Sequence, residues 1–414
     1  MKILYVCQYF PPEPGAPSVR ASELGKYWVR AGHQVTVLTG FPNHPSGKVP
    51  PEYRHKLWRL TLREEYLGID VARTWLLPLP NRKSWERILN YSSFFCSATL
   101  RGMFLRRPDV LIATSPQLLC GLAGLIIAKM RGIPFILEVR DLWPKSLVAV
   151  GVSSKDSLIY RMLAKVAAFM YRGADHIVVV SPPFKDCLRD DWGVAESKVS
   201  IMMNGIDADL FENPPRDWAK PEGEFWVSFI GTIGNAQGLE TLIVAARKLA
   251  ASHADIKFVV AGDGAERGKI EKLAKREGLT NLRILGPQPH EKIPGLIAAS
   301  DVCLSLLKKS DVFKAVLPTK MMEFMACGRP VVLAVEGYAK SMLEEAQAGI
   351  CIPPENPDAL CEAVLRLYAD RELGSRLGAN GRRYAFEYLS RARTADEYAA
   401  LCQVVAESTK ATQR

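Results

Sequence analysis

Short runs rich in Val and Ile alternate with helical patterns along this chain, and the alternation begins again past its midpoint. In the first half the runs are Ile3–Val6, Val35–Leu38, Val110–Ala113, Phe135–Val139, His176–Val180 and Val199–Met203. In the second they are Phe225–Ile230, Ile256–Ala261, Leu282–Leu285, Val302–Leu306, Val331–Val335 and Ile350–Ile352. Short, largely apolar runs alternating with helical patterns imply strands of a parallel sheet with helices above and below. Helices such as Val19–Ala31, closed by Gly32, supply those layers. The expected fold class is therefore α/β, with two Rossmann-like doubly wound parallel sheets. The seam falls in Asn204–Pro221, where Gly205, Pro214, Pro215 and Pro221 interrupt the rhythm. The expected domains are 1–204 and 205–386, with a polar helical tail over 387–414 packing back on the first. Two such domains would face each other across a cleft at the carboxyl ends of their strands, where ligands of these sheets bind.

A chain of 414 residues is long enough for about two or three domains with their own cores. No window approaches the roughly 20 apolar residues of a spanning helix; the nearest, Leu118–Ala128, ends at Lys129. Lys2–Val6 already reads as a strand and no cleavage site follows, so no signal peptide is expected. Nine cysteines without CxxC or Cys/His spacing fit a reduced cytoplasm with no structural zinc. Charge is placed unevenly. Through Asp207 there are 27 Lys and Arg against 17 Asp and Glu, and beyond it 27 of each, so the net +10 belongs to the first half. That asymmetry points to an anionic partner there, against the alternative of basic residues dispersed for solubility. A membrane surface fits better than nucleic acid, because no nucleic-acid-binding motif accompanies the charge.

Leu317–Val335 reads as a helix begun by Pro318 and Thr319, stopped by Gly328 and Pro330, and followed by a buried strand. Lys320 sits in its first turn, where the helix dipole disfavours a cation unless an anion is bound there. Glu323 is three residues on and can accept hydrogen bonds from hydroxyl groups. Such a pair suits a ligand with phosphates at one end and a sugar at the other; it also fits a plain surface ion pair. Between the strand Phe225–Ile230 and a helix lies Gly231-Thr232-Ile233-Gly234-Asn235-Ala236-Gln237-Gly238, a candidate phosphate cradle that could equally be a structural turn. Gly262 and Gly264, in Ala261–Glu266, and Pro287, after Gly286, end neighbouring strands on the same expected rim. Neither GxGxxG nor a P-loop is present, which disfavours a dinucleotide-dependent oxidoreductase and a triphosphate hydrolase.

In the first half, the strand Ile3–Val6 leads into Tyr9-Phe10-Pro11-Pro12-Glu13-Pro14-Gly15-Ala16, where Gly15 and Ala16 allow close backbone approach to a ligand. Glu138-Val139-Arg140-Asp141-Leu142-Trp143-Pro144 places three charges at a strand end, costly unless paired or functional. Arg140 could meet a diphosphate and Asp141 a sugar hydroxyl or attacking alcohol; a self-satisfied ion pair competes. Phe41-Pro42-Asn43-His44-Pro45 offers Asn43 and His44 as acceptor contacts. Over residues 76–107, Arg82, Lys83, Arg87, Arg101, Arg106 and Arg107 interleave with Trp85, Ile88, Leu89, Tyr91, Phe94, Phe95 and Phe104. That pattern suits a helix in a membrane interface, and equally an amphipathic helix facing a core.

Taken together, the chain resembles family 4 of the retaining GT-B glycosyltransferases over nearly its whole length. The resemblance rests on the Tyr9–Gly15 opening, Ala31–Val37, Arg140–Pro144, Asn204–Asp207, the Gly231–Gly238 loop, Ala261–Glu266 and Pro318-Thr319-Lys320 with Glu323. It implies a nucleotide-sugar donor, usually a uridine diphosphate sugar, on the carboxyl-terminal domain and an acceptor on the amino-terminal one. The Arg-Asp-Leu-Trp-Pro subgroup is similar to bacterial enzymes of O-antigen, capsule and exopolysaccharide assembly on polyprenyl-diphosphate carriers at the inner membrane face. Some of these transfer N-acetylfucosamine. By that resemblance Lys320, Arg140 and Asp141 are catalytic; Gly15, Ala16, Gly231, Thr232, Gly234, Gln237, Gly238, Gly262, Gly264, Pro287, Thr319, Lys320 and Glu323 hold the donor. No metal or cofactor is implied. Two departures stand out: Ala315 falls where the family usually has a first glutamate, and Gln237 where many members are basic. The first leaves that glutamate's part in holding the transferred sugar to another group; the second shifts diphosphate charge onto Lys320, with Arg140 or Lys314 in support. A nucleotide-sugar 2-epimerase on the same architecture and a non-catalytic carrier remain the rival readings.

Overall fold

The computed structural model describes the chain except residues 14, 45, 81–82, 116, 150–153, 155, 216 and 413–414, and except the side chains of 149 and 409–412. Pro14, Pro45 and Arg82 therefore lie outside the described residues. The chain divides into two units: Met1–Asn204 with Arg391–Arg414, and Gly205–Ser390.

The first unit is built on eight strands: β1 (Lys2–Val6), β2 (Gln34–Gly40), β3 (Thr61–Tyr66), β4 (Ile69–Thr74), β5 (Val110–Ser115), β6 (Phe135–Val139), β7 (His176–Val179) and β8 (Val199–Ile201). Their order is β3-β4-β2-β1-β5-β6-β7-β8, parallel except for the β3–β4 pair. The strand order reverses between β1 and β5, so the carboxyl ends of those two strands open the crevice used by ligands in such sheets. The β3–β4 hairpin was not among the expected strands. Thr61–Tyr66 carries Arg63, Glu64 and Glu65, and β4 carries Asp70 and Arg73, so neither reads as an apolar run. Leu67 and Gly68 both have positive φ, 52° and 80°, the turn that matches strand twist in a tight hairpin. Arg73 is 1% exposed yet satisfied, donating to Glu64 at 2.6 Å and to the Gly40 carbonyl at 3.1 Å.

One face of this sheet is covered by α1 (Ala16–Arg30) and the C-terminal helix Arg391–Thr412. Trp28 joins them: its indole N–H donates to the Ala395 carbonyl at 2.9 Å, and its ring meets Tyr398 edge-on at 5.4 Å. Truncating so buried an indole costs about 3–5 kcal/mol, so Trp28→Ala would loosen the helix from the sheet. The opposite layer is α2 (Ser84–Met103), α3 (Leu118–Arg131) and α4 (Leu158–Gly173), with α3 packed between the other two. The tail from Glu387 is not one helix. Glu387 and Tyr388 end the helix Arg371–Tyr388, because the Ile206 N–H takes the Leu389 carbonyl at 2.7 Å and Ile206 pairs with Ser390. A new helix starts at Arg391.

The second unit has β9 (Phe225–Ile230), β10 (Ile256–Ala261), β11 (Leu282–Gly286), β12 (Val302–Leu306), β13 (Val331–Ala334) and β14 (Gly349–Cys351). All pair in parallel, in the order β11-β10-β9-β12-β13-β14. This is the doubly wound arrangement, with its reversal between β9 and β12. Phe225, Val227, Phe229, Val260, Val302, Leu304 and Val332 form its core with Leu242 and Ile243 of α5 (Glu240–Ala250). After β12 the chain runs through a short 3-10 turn, Asp311–Ala315, into α6 (Thr319–Ala326). Gly328, at φ 67°, stops α6, with its N–H on the Met325 carbonyl.

Candidate active site

In the second unit the loop after β9 and the first turn of α6 meet. Thr319 opens α6 and Met321, Met322, Phe324 and Met325 anchor its inner face, which turns Lys320 toward the loop. The Lys320 ammonium lies 3.0 Å from where a side chain on Gly231 would begin, and 3.8 Å from the centre of the Phe229 ring. Its nitrogen is buried and has no hydrogen-bond partner among the described residues, although part of the stem reaches solvent. Desolvation lowers its pKa from the usual 10.5 to about 7, against a smaller opposing pull from Glu323. A buried ammonium without an acceptor is costly; an anion at this place would supply one.

The glycines around it have a packing role. Gly231 donates to the Ala261 carbonyl, Gly262 to the Gly286 carbonyl and Ile233 to the Asp263 carbonyl, each at 2.9 Å. The loops after β9 and β10 thus lie backbone on backbone: a Cβ on Gly262 would stand 1.8 Å from the Gly231 carbonyl oxygen. Gly262 also has φ 144°, and Gly264 is placed likewise against Ile233. Within the upper loop the Gln237 side chain accepts the Gly234 N–H at 3.1 Å, so that amide is occupied by the chain itself. Thr232 stands exposed, Gly238 turns the chain into α5 at φ 56°, and Pro287 is exposed after β11. Lys314 bonds Asp311 at 2.7 Å and lies 3.9 Å from Glu336, turned to its own acidic neighbours. Ala315 ends the 3-10 turn.

One cation near the loop went unnoticed in the sequence. Lys308, two residues past β12, donates its ammonium to Asn235 at 2.6 Å and its N–H to the Ala236 carbonyl at 2.8 Å. The signal was there: Lys308 and Lys309, just past the end of β12, put two positive charges at the reversal point.

In the first unit, Glu138 lies near the end of β6, with Arg140 and Asp141 just past it. Glu138 is fully buried and paired with Arg20 of α1 at 2.7 Å, while the Tyr5 hydroxyl donates to it at 3.2 Å. Asp141 is engaged by its own loop, accepting from the Ser146 hydroxyl and from the Trp143 indole at 3.1 Å; burial raises its pKa. Arg140 reaches the Ala16 carbonyl at 3.5 Å, beside Gly15, whose φ of 111° sets the entry to α1. Asn43 is buried, and its side chain donates to the Phe41 carbonyl at 3.0 Å and accepts from Asn90 at 3.1 Å. The His44 ring lies 4.7 Å from Tyr9, and burial lowers its pKa. Holding this loop is Glu13, whose carboxylate accepts the N–H groups of Asn43 and His44, each at 2.9 Å. Burial lifts Glu13 from 4.5 to about 7 despite those bonds. An acidic residue inside a proline-rich turn is the signal that would have found it.

The outer surface of α2 and α4 is apolar with basic edges. Trp85, Ile88 and Leu89 are exposed on α2, Phe104 caps it, and Leu158, Ile159, Met162 and Phe169 are exposed on α4. Exposed Arg161, Lys165 and Arg172 flank the α4 stripe. No described helix is long and apolar enough to cross a membrane. Among the described residues no group of three or more His, Cys, Asp or Glu is gathered as a metal would need.

Residues 15–205 match the family described as "Glycosyl transferase 4-like domain", and residues 211–384 match "Glycosyl transferases group 1". A putative colanic acid biosynthesis glycosyl transferase, WcaI, of Escherichia coli is 28% identical over 90% of this chain and 96% of its own length. A probable glycosyltransferase, WbjE, of Pseudomonas aeruginosa is 29% identical over 66% of this chain and 69% of its length. Among solved structures, a sucrose-phosphate synthase from Thermosynechococcus elongatus superposes with a TM-score of 0.74 at 20% identity, covering 98% of this chain and 99% of that one. The Anabaena protein HepE in complex with UDP gives 0.68 at 17%, covering 98% and 100%.

Proposed function

Because this chain belongs to the group 1 glycosyltransferases and has their GT-B fold, we propose that it transfers a sugar, with retention at the anomeric carbon, from a uridine diphosphate sugar to a glycan on a polyprenyl diphosphate. The observation that carries the donor assignment is the Lys320 ammonium, buried without an acceptor against the Gly231 turn at the strand-order reversal. An anionic diphosphate seated there meets a cation already desolvated and in place, with Lys308 on the far side of the loop supplying the charge that Gln237 lacks. Glu323 and Thr319 take ribose and phosphate contacts. The UDP bound to HepE and the names of WcaI and WbjE support a uridine nucleotide and surface-polysaccharide assembly. N-acetylfucosamine is the first donor sugar to try.

In the reaction, the bond from the anomeric carbon to the phosphate oxygen breaks as the acceptor oxygen bonds to the same face, and the acceptor proton passes to the leaving phosphate. Lys320 stabilises the charge growing on that phosphate. Asp141, fixed by Ser146 and Trp143, orients the acceptor hydroxyl on the first unit, beside Arg140, with Asn43 and His44 further out on the same unit. The apolar, basic-edged face of α2 and α4 rests on the anionic inner surface of the cytoplasmic membrane, where a lipid-linked acceptor is found. Incubation with UDP-sugar and lipid-linked acceptor should release UDP, and Lys320→Ala should cut turnover by about 10²-fold or more while EDTA leaves it unchanged. Near-normal turnover in that variant would refute the role, and conversion of the nucleotide sugar without acceptor would identify an isomerase instead.

A further inference from the structure

The sheet of the first unit ends at β3, whose outer edge has no strand beside it among the described residues. The two-residue turn at Leu67 and Gly68 fixes which groups that edge presents. Tyr66 and Ile69 close the hairpin, so Tyr66, Glu64 and Leu62 bond inward to β4, in step with the Trp75 N–H on the Leu60 carbonyl at 2.9 Å. Thr61, Arg63 and Glu65 therefore turn their backbone N–H and C=O groups outward. Bare edges of this kind recruit other strands, and charged side chains commonly blunt them. Here the exposed charges, Arg63 and Glu65, are of opposite sign, and their order complements its own reverse.

Set antiparallel to β3 of a second copy, with Glu64 at the centre, Arg63 falls opposite Glu65 of that copy and Glu65 opposite its Arg63. Both are outward-facing positions, as a hydrogen-bonded pair requires. Centring one residue either way, on Arg63 or on Glu65, sets like charges face to face, and larger shifts shorten the seam. Glu65 also lies directly across from Asp70 on β4. Two carboxylates so placed repel, and neither they nor Arg63 form an ion pair among the described residues. Arg63 of the second copy brings the missing countercharge beside them. On the other face Leu62 meets Tyr66, and Glu64 meets its own copy. That carboxylate is already held by Arg73 at 2.6 Å and by the Tyr53 hydroxyl at 3.2 Å. At the ends of the strand Leu60 and Leu67, each 59% exposed, come within one position of each other and cover one another.

We propose that β3 is the seam of a symmetric homodimer, two copies pairing β3 with β3 antiparallel about a two-fold axis at Glu64. Sedimentation equilibrium of the full chain at low salt tests it. The mass should rise from 45.9 kDa toward twice that value as concentration increases, across a range of about 1–200 µM. Arg63→Glu and Glu65→Arg should each keep the single-chain mass, because each sets two pairs of like charges across the seam. An equimolar mixture of those two variants should recover the dimer, since every such pair is then opposite in sign. So should the double exchange, Arg63→Glu with Glu65→Arg, in one chain. In the wild-type chain the N–H groups of Arg63 and Glu65 should exchange with deuterium about fivefold or more slower at the upper concentration. Unfolding midpoints of the single variants within about 2 °C of the wild-type chain at low concentration show that they fold. A single mass across the range overturns the proposal. So does a dimer that persists in either single variant or fails to return in the mixture. A single mass with exchange at Arg63 and Glu65 slowed only by anionic vesicles would assign the edge to a lipid surface instead.

Discussion

Binding of a nucleotide sugar should take up a proton, and Lys320 sets how much. In the free protein its ammonium is held near pKa 7 by burial against the Phe229 ring and the Gly231 turn, with only a smaller opposing pull from Glu323. A diphosphate placed against it stabilises the charged form and returns the pKa toward 10.5. A sugar-capped diphosphate has no group of its own that titrates near neutrality, so the proton is attributable to the protein. At pH 8 about nine-tenths of the free lysine is neutral, and uptake should approach about 0.9 proton per site; at pH 6 it should fall to about 0.1. Affinity should correspondingly drop by about tenfold per pH unit above 7, to a ceiling of about 5 kcal/mol that the partly exposed stem will reduce. Titration calorimetry with UDP-glucose in two buffers of different ionisation enthalpy reads the proton count directly. Stability provides the sign control. Because the folded pKa is depressed, the unfolded chain holds the extra proton between pH 7 and 10.5, and stability rises with pH across that window. Lys320→Met should remove both the slope and the uptake. Uptake below about 0.2 proton at pH 8, or equal uptake in Lys320→Met, refutes the reasoning.

Glu13 should act in the opposite direction: its pKa is raised to about 7, so its contribution is complete below pH 4.5 and is lost as pH rises through 7, by about 3 kcal/mol at most. Glu13→Gln keeps an oxygen for the Asn43 and His44 amides, so its urea midpoint should exceed wild type at pH 8 and not at pH 4.5; an unchanged pH profile rules out the role. The α2 and α4 face should make the chain sediment with vesicles containing anionic lipid at low salt and release at high salt, and Ile88→Glu with Met162→Glu should weaken this. Absence of binding at low salt removes the membrane proposal.

The parallel strands were legible because burial on both faces forces runs dominated by apolar residues, as in β6 and β9. The β3–β4 hairpin was illegible for the same reason inverted: its charged residues are satisfied by partners distant in sequence, such as Arg73 on the Gly40 carbonyl. Periodicity carries no record of such partners. At the site, Lys320 and the Gly231 loop stood in separate motifs, and only folding brings an ammonium within 3.0 Å of where a side chain on Gly231 would begin. The glycines of Ala261–Glu266 could be located from sequence but not interpreted, since their need arises from another loop's backbone. Gln237 looked like a missing cation; its side chain caps Gly234, and a lysine from the strand across the reversal stands near instead.

The contact between the turns after β9 and β10 limits how this enzyme can diversify. With a peptide carbonyl 1.8 Å from where any methyl on Gly262 would stand, the floor of the proposed donor site tolerates no added atom. Selection for a different donor has to act on the rim, at positions such as Thr232, Asn235 and Lys308, whose side chains can lengthen outward without prying two main chains apart.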